Sequence, residues 1–231
     1  MAIVVDSPED SVSTLQPIAP AQQIELQVEY LFASSIWRTS APQFLPKAAD
    51  VLKENITKRK KEAPEVLKGV YPSIMTDNLH GDPRMTPLCE FIKKAAWTVL
   101  DNQGYLMDPY DMYFFDCFGQ EHHKYGGHDT HTHPGGQITG FYFIEVPPDS
   151  SKPVFQDPRP GKVHAGLAER NISQATLASH EINYTPNAGD LFLTNSWLPH
   201  SFVHNANIRP FRFLHFTLGI MMKPTVSANI V

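Results

Sequence analysis

Only two cysteines, Cys89 and Cys117, occur in 231 residues. Two cannot build a disulfide framework, and neither has the neighbours of a CxxC metal knuckle. Reduced thiols in a reducing compartment are expected. Charge is scarce as well, at 19% of residues, where about 25% is usual for soluble chains. The net charge of −5 leaves no basic footprint for nucleic acid or an anionic membrane. The one basic run, Lys58-Arg59-Lys60-Lys61, lies in a helical pattern and reads as a solvated helix face. No apolar stretch approaches the length of a membrane span. The first ten residues turn acidic and lack a basic leader, so no signal peptide is expected. A GxSxG elbow, a Walker loop and a GxGxxG fingerprint are all missing, which removes support for serine hydrolases, nucleotide hydrolases and Rossmann enzymes. Pro134, Gly135 and Gly136 follow His133 where a metallo-β-lactamase needs further ligands.

What the chain does have is apolar bulk: 42% hydrophobic and 11% aromatic residues, enough for one substantial core. Residues 1 to about 25 are polar and proline-containing, and an extended arm is expected there. Residues 26 to 231 read as a single domain. Leu26, Val28, Tyr30 and Phe32 alternate with polar or small residues, which predicts a first strand from Leu26 to Trp37. Leu45, Ala48, Val51, Leu52 and Ile56 recur at helical spacing and predict a helix from Pro42 to about Lys61. Leu88, Phe91, Ile92, Ala95, Ala96 and Val99 predict a second, Met85 to about Leu100, with Thr86 as its N-cap and Pro87 in the first turn. Helical support thus spans about 42–104.

From Tyr105 to about residue 222 the pattern changes to short apolar runs divided by Gly, Pro, Asp and Asn: MYFFDCF, ITGFYFIEV, KPVFQ, LASHEINY, DLFLTN and FRFLHFTLGIMM. Strands at this spacing indicate a sandwich or barrel. The expected class is mainly β with N-terminal helices, α+β.

The chemistry concentrates in this β half. Five of 11 histidines fall between positions 122 and 133. His131 and His133 stand two apart, and residues i and i+2 of a strand share a face. Two neutral imidazoles so placed can share a transition metal. A third ligand is needed, and the best candidate is His200, after the strand GDLFLTN and its WLPH turn. His122 and His123 read as surface residues. Arg212 lies on an apolar strand, where a guanidinium needs an anion. An unseen carboxylate in an ordinary ion pair would serve, and so would a dicarboxylate cosubstrate. Beside the histidines, the cosubstrate is favoured.

The runs HTHPGGQITGFYF, VFQDPRP and GDLFLTNSWLPHSF, followed by an arginine strand, resemble a family of 2-oxoglutarate/Fe(II)-dependent oxygenases found in marine bacteria and their phages. The resemblance spans roughly residues 30 to 222. It implies a double-stranded β-helix core, jelly-roll or cupin-like, and an enzyme that uses Fe(II) and 2-oxoglutarate, with succinate and CO2 as co-products. It implies that His131, His133 and His200 hold iron and that Arg212 anchors the far carboxylate of 2-oxoglutarate. Thr139 and, more weakly, Tyr113 would line the same pocket, with residues 139, 141 and 143 on one face. Two departures stand out. His133 takes the place where the wider superfamily has a carboxylate, and Phe143 stands where relatives have tyrosine. The substrate implied is a small molecule or a peptide, with no nucleic-acid or membrane partner and a homodimer left open. The implied location is the cytoplasm, the host's for a phage-encoded chain. Two rival readings are a cupin-type three-histidine metalloprotein that needs no 2-oxoglutarate, for which Gln137 stands at the usual glutamate place, and a non-catalytic, virion-associated module.

Overall fold

The computed structural model of the chain describes residues 27, 29, 31–69, 72–163 and 166–224. The expected arm, 1–25, lies outside them. The chain divides into a segment, 1–33, and a compact unit, 34–231. The strands of the compact unit are β1 (Ile36–Ser40), β2 (Ser73–Asn78), β3 (Tyr110–His122), β4 (His128–His131), β5 (Ile138–Glu145), β6 (Pro153–Gln156), β7 (Glu181–Asn183), β8 (Asp190–Asn195), β9 (His200–Phe202) and β10 (Phe211–Met222). Its helices are α1 (Leu45–Glu62), α2 (Thr86–Asn102) and the single turn α3 (Pro160–Val163).

All pairings are antiparallel and form two sheets, β1-β8-β5-β10-β3-β2 and β4-β9-β6-β7. Mostly β with helices ahead of the main strands, this is the expected class. The alternation of β10 shows how the layers are made. Leu214, Phe216 and Leu218 join the core shared with α1 and α2, where Leu52, Ile92 and Ala96 are buried. Phe211 and Phe213 point the other way, into a second core with Phe141, Phe143, Phe155, Phe192, Leu198 and Phe202. The large sheet is therefore covered by helices on one face and closes a phenylalanine-lined interior with the other. Cys89 and Cys117 are both free and buried.

Three expectations need correction. The first strand begins at Ile36 and not at Leu26; of the expected span, residues 31–35 are irregular. Thr86 is already helical: the N-cap position falls on Met85, which offers no side-chain bond. The preceding 3-10 turn is instead capped by Asp82, whose side chain accepts from the Arg84 backbone N–H. Finally, the basic run is not wholly solvated. Lys60 reaches the buried carboxylate of Glu121 at 2.7 Å.

Candidate metal centre

His131 ends β4 and His200 begins β9, and the two are direct register partners. His133 lies beyond the end of β4, just before a turn, and is tied down where its N–H donates to the Ser196 carbonyl at 2.9 Å. The rings of His131 and His133 are 4.9 Å apart, those of His131 and His200 4.5 Å, and those of His133 and His200 5.2 Å. One nitrogen from each of these three residues and from His215 lies within 4.8 Å of the others. His215 comes from the inner face of β10 and is fully buried.

Hydrogen bonding separates the four. The Nδ1 of His131 meets the Asp129 carbonyl at 2.7 Å, and that of His200 meets the Leu198 carbonyl at 2.9 Å. A carbonyl only accepts, so both rings carry hydrogen on Nδ1 and present a bare Nε2. The Nδ1 of His133 meets the Thr217 hydroxyl at 3.1 Å. With the hydroxyl as acceptor, the hydrogen of His133 lies on Nδ1 and the third Nε2 is bare, and that Nε2 has no partner of its own. These three Nε2 atoms are buried and have no partner. Buried polar atoms normally find one, and three lone pairs converging without donors suit a metal cation. His215 differs. The Thr139 hydroxyl donates to the Phe216 carbonyl at 3.0 Å and lies 3.3 Å from the Nε2 of His215. It can only accept there, so the hydrogen of His215 sits on Nε2 and that nitrogen is no ligand.

Burial sets the charge of the cluster. Desolvation first, then the neighbouring histidines, holds His133 down to about 4 and His200 to about 3. His215 is pushed well down for the same reasons. Near neutral pH these imidazoles are uncharged, as ligation requires. Desolvation raises the Asp116 carboxyl, against the Thr217 bonds that lower it.

Asp116 and His215 escaped the sequence reading. A bulge places the first: Thr217 pairs with Asp116 but Leu218 with Phe114, so Phe115 is extra. The bulge turns Phe114 and Cys117 to the helices and leaves Asp116 beside Thr217. The usable signal for both residues was inner-face parity along FRFLHFTL and DCFGQEH, which pairs His215 with Phe118 and Phe213 with Gln120.

Of the other expected residues, Thr139 is buried and touches the cluster through His215. The Tyr113 ring packs instead 5.1 Å from that of Phe115, across from Gly219. Arg212 does not join the cluster. Three residues from His215 on one strand, it faces the opposite side and bonds Glu121 and Glu145. Burial alone would raise the Glu121 carboxyl, but hydrogen bonds from His123, Lys60 and Arg212 pull it down to about 2. The ordinary ion pair is the arrangement found. Tyr142 buries its hydroxyl against the Ala41 carbonyl at 2.8 Å. Trp197 is about half exposed.

His122 is fully buried, which corrects its reading as a surface residue. It packs against Phe202, Phe211 and Phe213 at 5.6, 6.0 and 5.2 Å. Burial, then charge on His128 and His204, holds its pKa down to about 3. The unfolded chain binds this proton near pH 6.5, and the folded chain refuses it until about 3. The stability contribution is therefore complete above 6.5 and is lost as the pH falls toward 3. His122→Phe keeps the ring packing and removes the titration. Urea unfolding between pH 6.5 and 4 is expected to lose one proton's dependence, roughly 1.4 kcal/mol per pH unit. An unchanged slope would place the proton uptake elsewhere.

The "Putative 2OG-Fe(II) oxygenase" family matches residues 118–210. No curated protein sequence matches the chain. Among solved structures, AviO1 from Streptomyces viridochromogenes Tue57 is 13% identical, covers 83% of this chain and 91% of its own, and has a TM-score of 0.56. HygX from Streptomyces hygroscopicus, solved with nickel and 2-oxoglutarate bound, is 10% identical over 80% of this chain and 83% of its own, at 0.53. The non-heme monooxygenase ThoJ, solved as its nickel complex, is 8% identical over 82% and 76%, also at 0.53. At such identities the likeness is one of fold, and the fold shared is the double-stranded β-helix. The family match, residues 118–210, takes in the strands β4 and β9 and all three of His131, His133 and His200.

Proposed function

We propose that the protein is a 2-oxoglutarate- and Fe(II)-dependent oxygenase whose iron is held by His131, His133 and His200. The observation that carries this reading is the convergence of three buried, unpartnered Nε2 atoms in a chain that matches the family across those strands. Bound there with 2-oxoglutarate, Fe(II) supplies oxidation by O2, with succinate and CO2 as co-products and a small molecule or peptide as substrate. The protein's own part is to hold the ligands. The Asp129 and Leu198 carbonyls fix the hydrogens of His131 and His200 on Nδ1, and the Thr217 hydroxyl meets the Nδ1 of His133. The phenylalanine interior keeps water from the buried side.

The test is an anaerobic titration with Fe(II) and then 2-oxoglutarate. One iron per chain, a visible charge-transfer band on adding 2-oxoglutarate, and succinate once oxygen is admitted are expected. Iron bound tightly without the band would instead support the cupin-type alternative, which the all-imidazole ligand set and the outward Arg212 favour.

A further inference from the structure

A 2-oxo dicarboxylate that chelates iron through its oxo-acid end carries a second carboxylate into the barrel. The walls there are largely phenylalanine, and a buried anion needs hydrogen-bond donors. Arg212 supplies none, because its guanidinium is held on the far face by Glu121 and Glu145. The inner face nonetheless carries a row of polar side chains, each at most 3% exposed: Thr139, His215, Gln120 and His122. The row begins at the cluster, where the His215 ring is 4.7 Å from that of His133 and 5.7 Å from that of His200.

The contacts along this row are long, and a neutral His122 has one ring hydrogen for two acceptors, Gln120 Oε1 and Ser151 Oγ. The His215 Nε2 lies 3.3 Å from the Thr139 Oγ1, and its Nδ1 lies 3.4 Å from the Gln120 Nε2. The Gln120 Oε1 lies 3.2 Å from the His122 Nε2, and the His122 Nδ1 lies 3.4 Å from the Ser151 Oγ. N–H···O bonds centre near 2.9–3.0 Å, so these are at the weak end. A carboxylate accepts more strongly than a neutral hydroxyl or amide, so it can take over such bonds at small cost.

We infer that the far carboxylate of 2-oxoglutarate is received by His215 and Thr139, with Gln120 and His122 behind them, in place of a guanidinium. The inference rests on the 2-oxoglutarate reading and gives this chain its own anchor. His215 donates through Nε2–H, and Thr139 donates once its hydroxyl turns from the Phe216 carbonyl. Gln120 has a second amide hydrogen to offer and keeps the His215 ring in place. The same assignment makes His215 a cosubstrate contact, not a fourth metal ligand.

The experiment compares two ligands on the anaerobic Fe(II) protein: 2-oxoglutarate, and 2-oxopentanoate, which has the same chain without the far carboxylate. Dissociation constants are read from the charge-transfer band, in the wild type and in Thr139→Val and Gln120→Met, both close to isosteric. The wild type is expected to prefer 2-oxoglutarate by roughly tenfold or more, the scale of one or two charge-assisted bonds. In either variant that preference collapses, while affinity for 2-oxopentanoate and for Fe(II) stays within about twofold. A merely structural role would move both ligands together. A preference that survives in both variants, or a wild type that binds the two acids equally, overturns the inference and leaves the oxygenase reading standing. A wild type that holds iron but binds neither acid removes that reading and the inference with it. His215→Gln adds a check on the metal: a loss of Fe(II) affinity well beyond about a hundredfold, larger than a supporting residue gives, would make His215 a ligand and overturn its assignment as a donor.

Discussion

His131→Ala is expected to abolish the stabilisation that a divalent metal bound at the three histidines would give this fold. In the wild type, a metal that binds the folded chain and not the unfolded one adds about 2.7 kcal/mol when its concentration is a hundred times Kd. For a domain of this size, that is a rise of roughly 5–10 °C in Tm. His131 is the right place to break the triad. It is only half-buried, whereas His200 is sealed in the core, so truncation at 131 opens no large cavity. Its Nε2 has no protein partner, and the one bond lost is that of Nδ1 to the Asp129 carbonyl. The metal-free variant is therefore expected to melt within a few degrees of the metal-free wild type, while Fe(II) affinity falls more than about a hundredfold, beyond the loss usual for a supporting residue. His128 is the control. Its ring stacks on His131 at 4.2 Å and its Nδ1 is also unpartnered, yet it lies outside the group whose nitrogens converge. His128→Ala should keep most of the metal response. Equal losses in the two variants, measured by thermal shift with and without Fe(II) or Co(II), would sink the three-histidine assignment.

The contrast between these two histidines shows what the sequence could and could not convey. His131, His133 and His200 were readable because their spacing and the strand before His200 are local properties. The apolar runs were equally readable, and each sequence run from MYFFDCF onward contains or overlaps an observed strand. What escaped was short, polar or set by register. The strands β4 and β9 have only four and three residues, too few for alternation to show. His122 looked like surface because its run, EHHK, is polar, yet two residues before it Gln120 shares its inner face and a bond to it. Asp116 shows only through its parity with Phe118 and Gln120, because the bulge at Phe115 beside it is marked by no local pattern. Arg212 is instructive because parity alone bears on it: on one strand, residues three apart face opposite ways, so Arg212 and His215 lie on opposite faces of β10.

Arg212→Met is expected to cost roughly 3 kcal/mol or more, or about 10 °C in Tm, and to leave 2-oxoglutarate affinity unchanged. The cost comes from what the arginine leaves behind. Glu121 is fully buried and ionised, held by Lys60, His123 and Arg212. Without Arg212 the buried carboxylate keeps Lys60 and His123 but loses its guanidinium, and an under-compensated buried charge is more damaging than deleting both partners. Glu145 loses a partner too but is about a third exposed and retains Arg209 at 3.5 Å, so water and that pair absorb its charge. The double variant Arg212→Met with Glu121→Gln should then regain part of the loss, and the coupling read from the cycle should exceed about 1 kcal/mol. An anchoring arginine predicts the reverse pattern. Thermal stability would change little, 2-oxoglutarate affinity would fall by tenfold or more, and Glu121→Gln would rescue nothing. Both outcomes can be read from one set of four proteins, by urea unfolding and by titration of the Fe(II) form well below its melting temperature. The face of β10 that carries Arg212, with Glu121 on one neighbouring strand and Glu145 on the other, makes the first pattern the expected one: on this strand the arginine bridges its two neighbours, and the histidine three residues later faces the imidazole cluster.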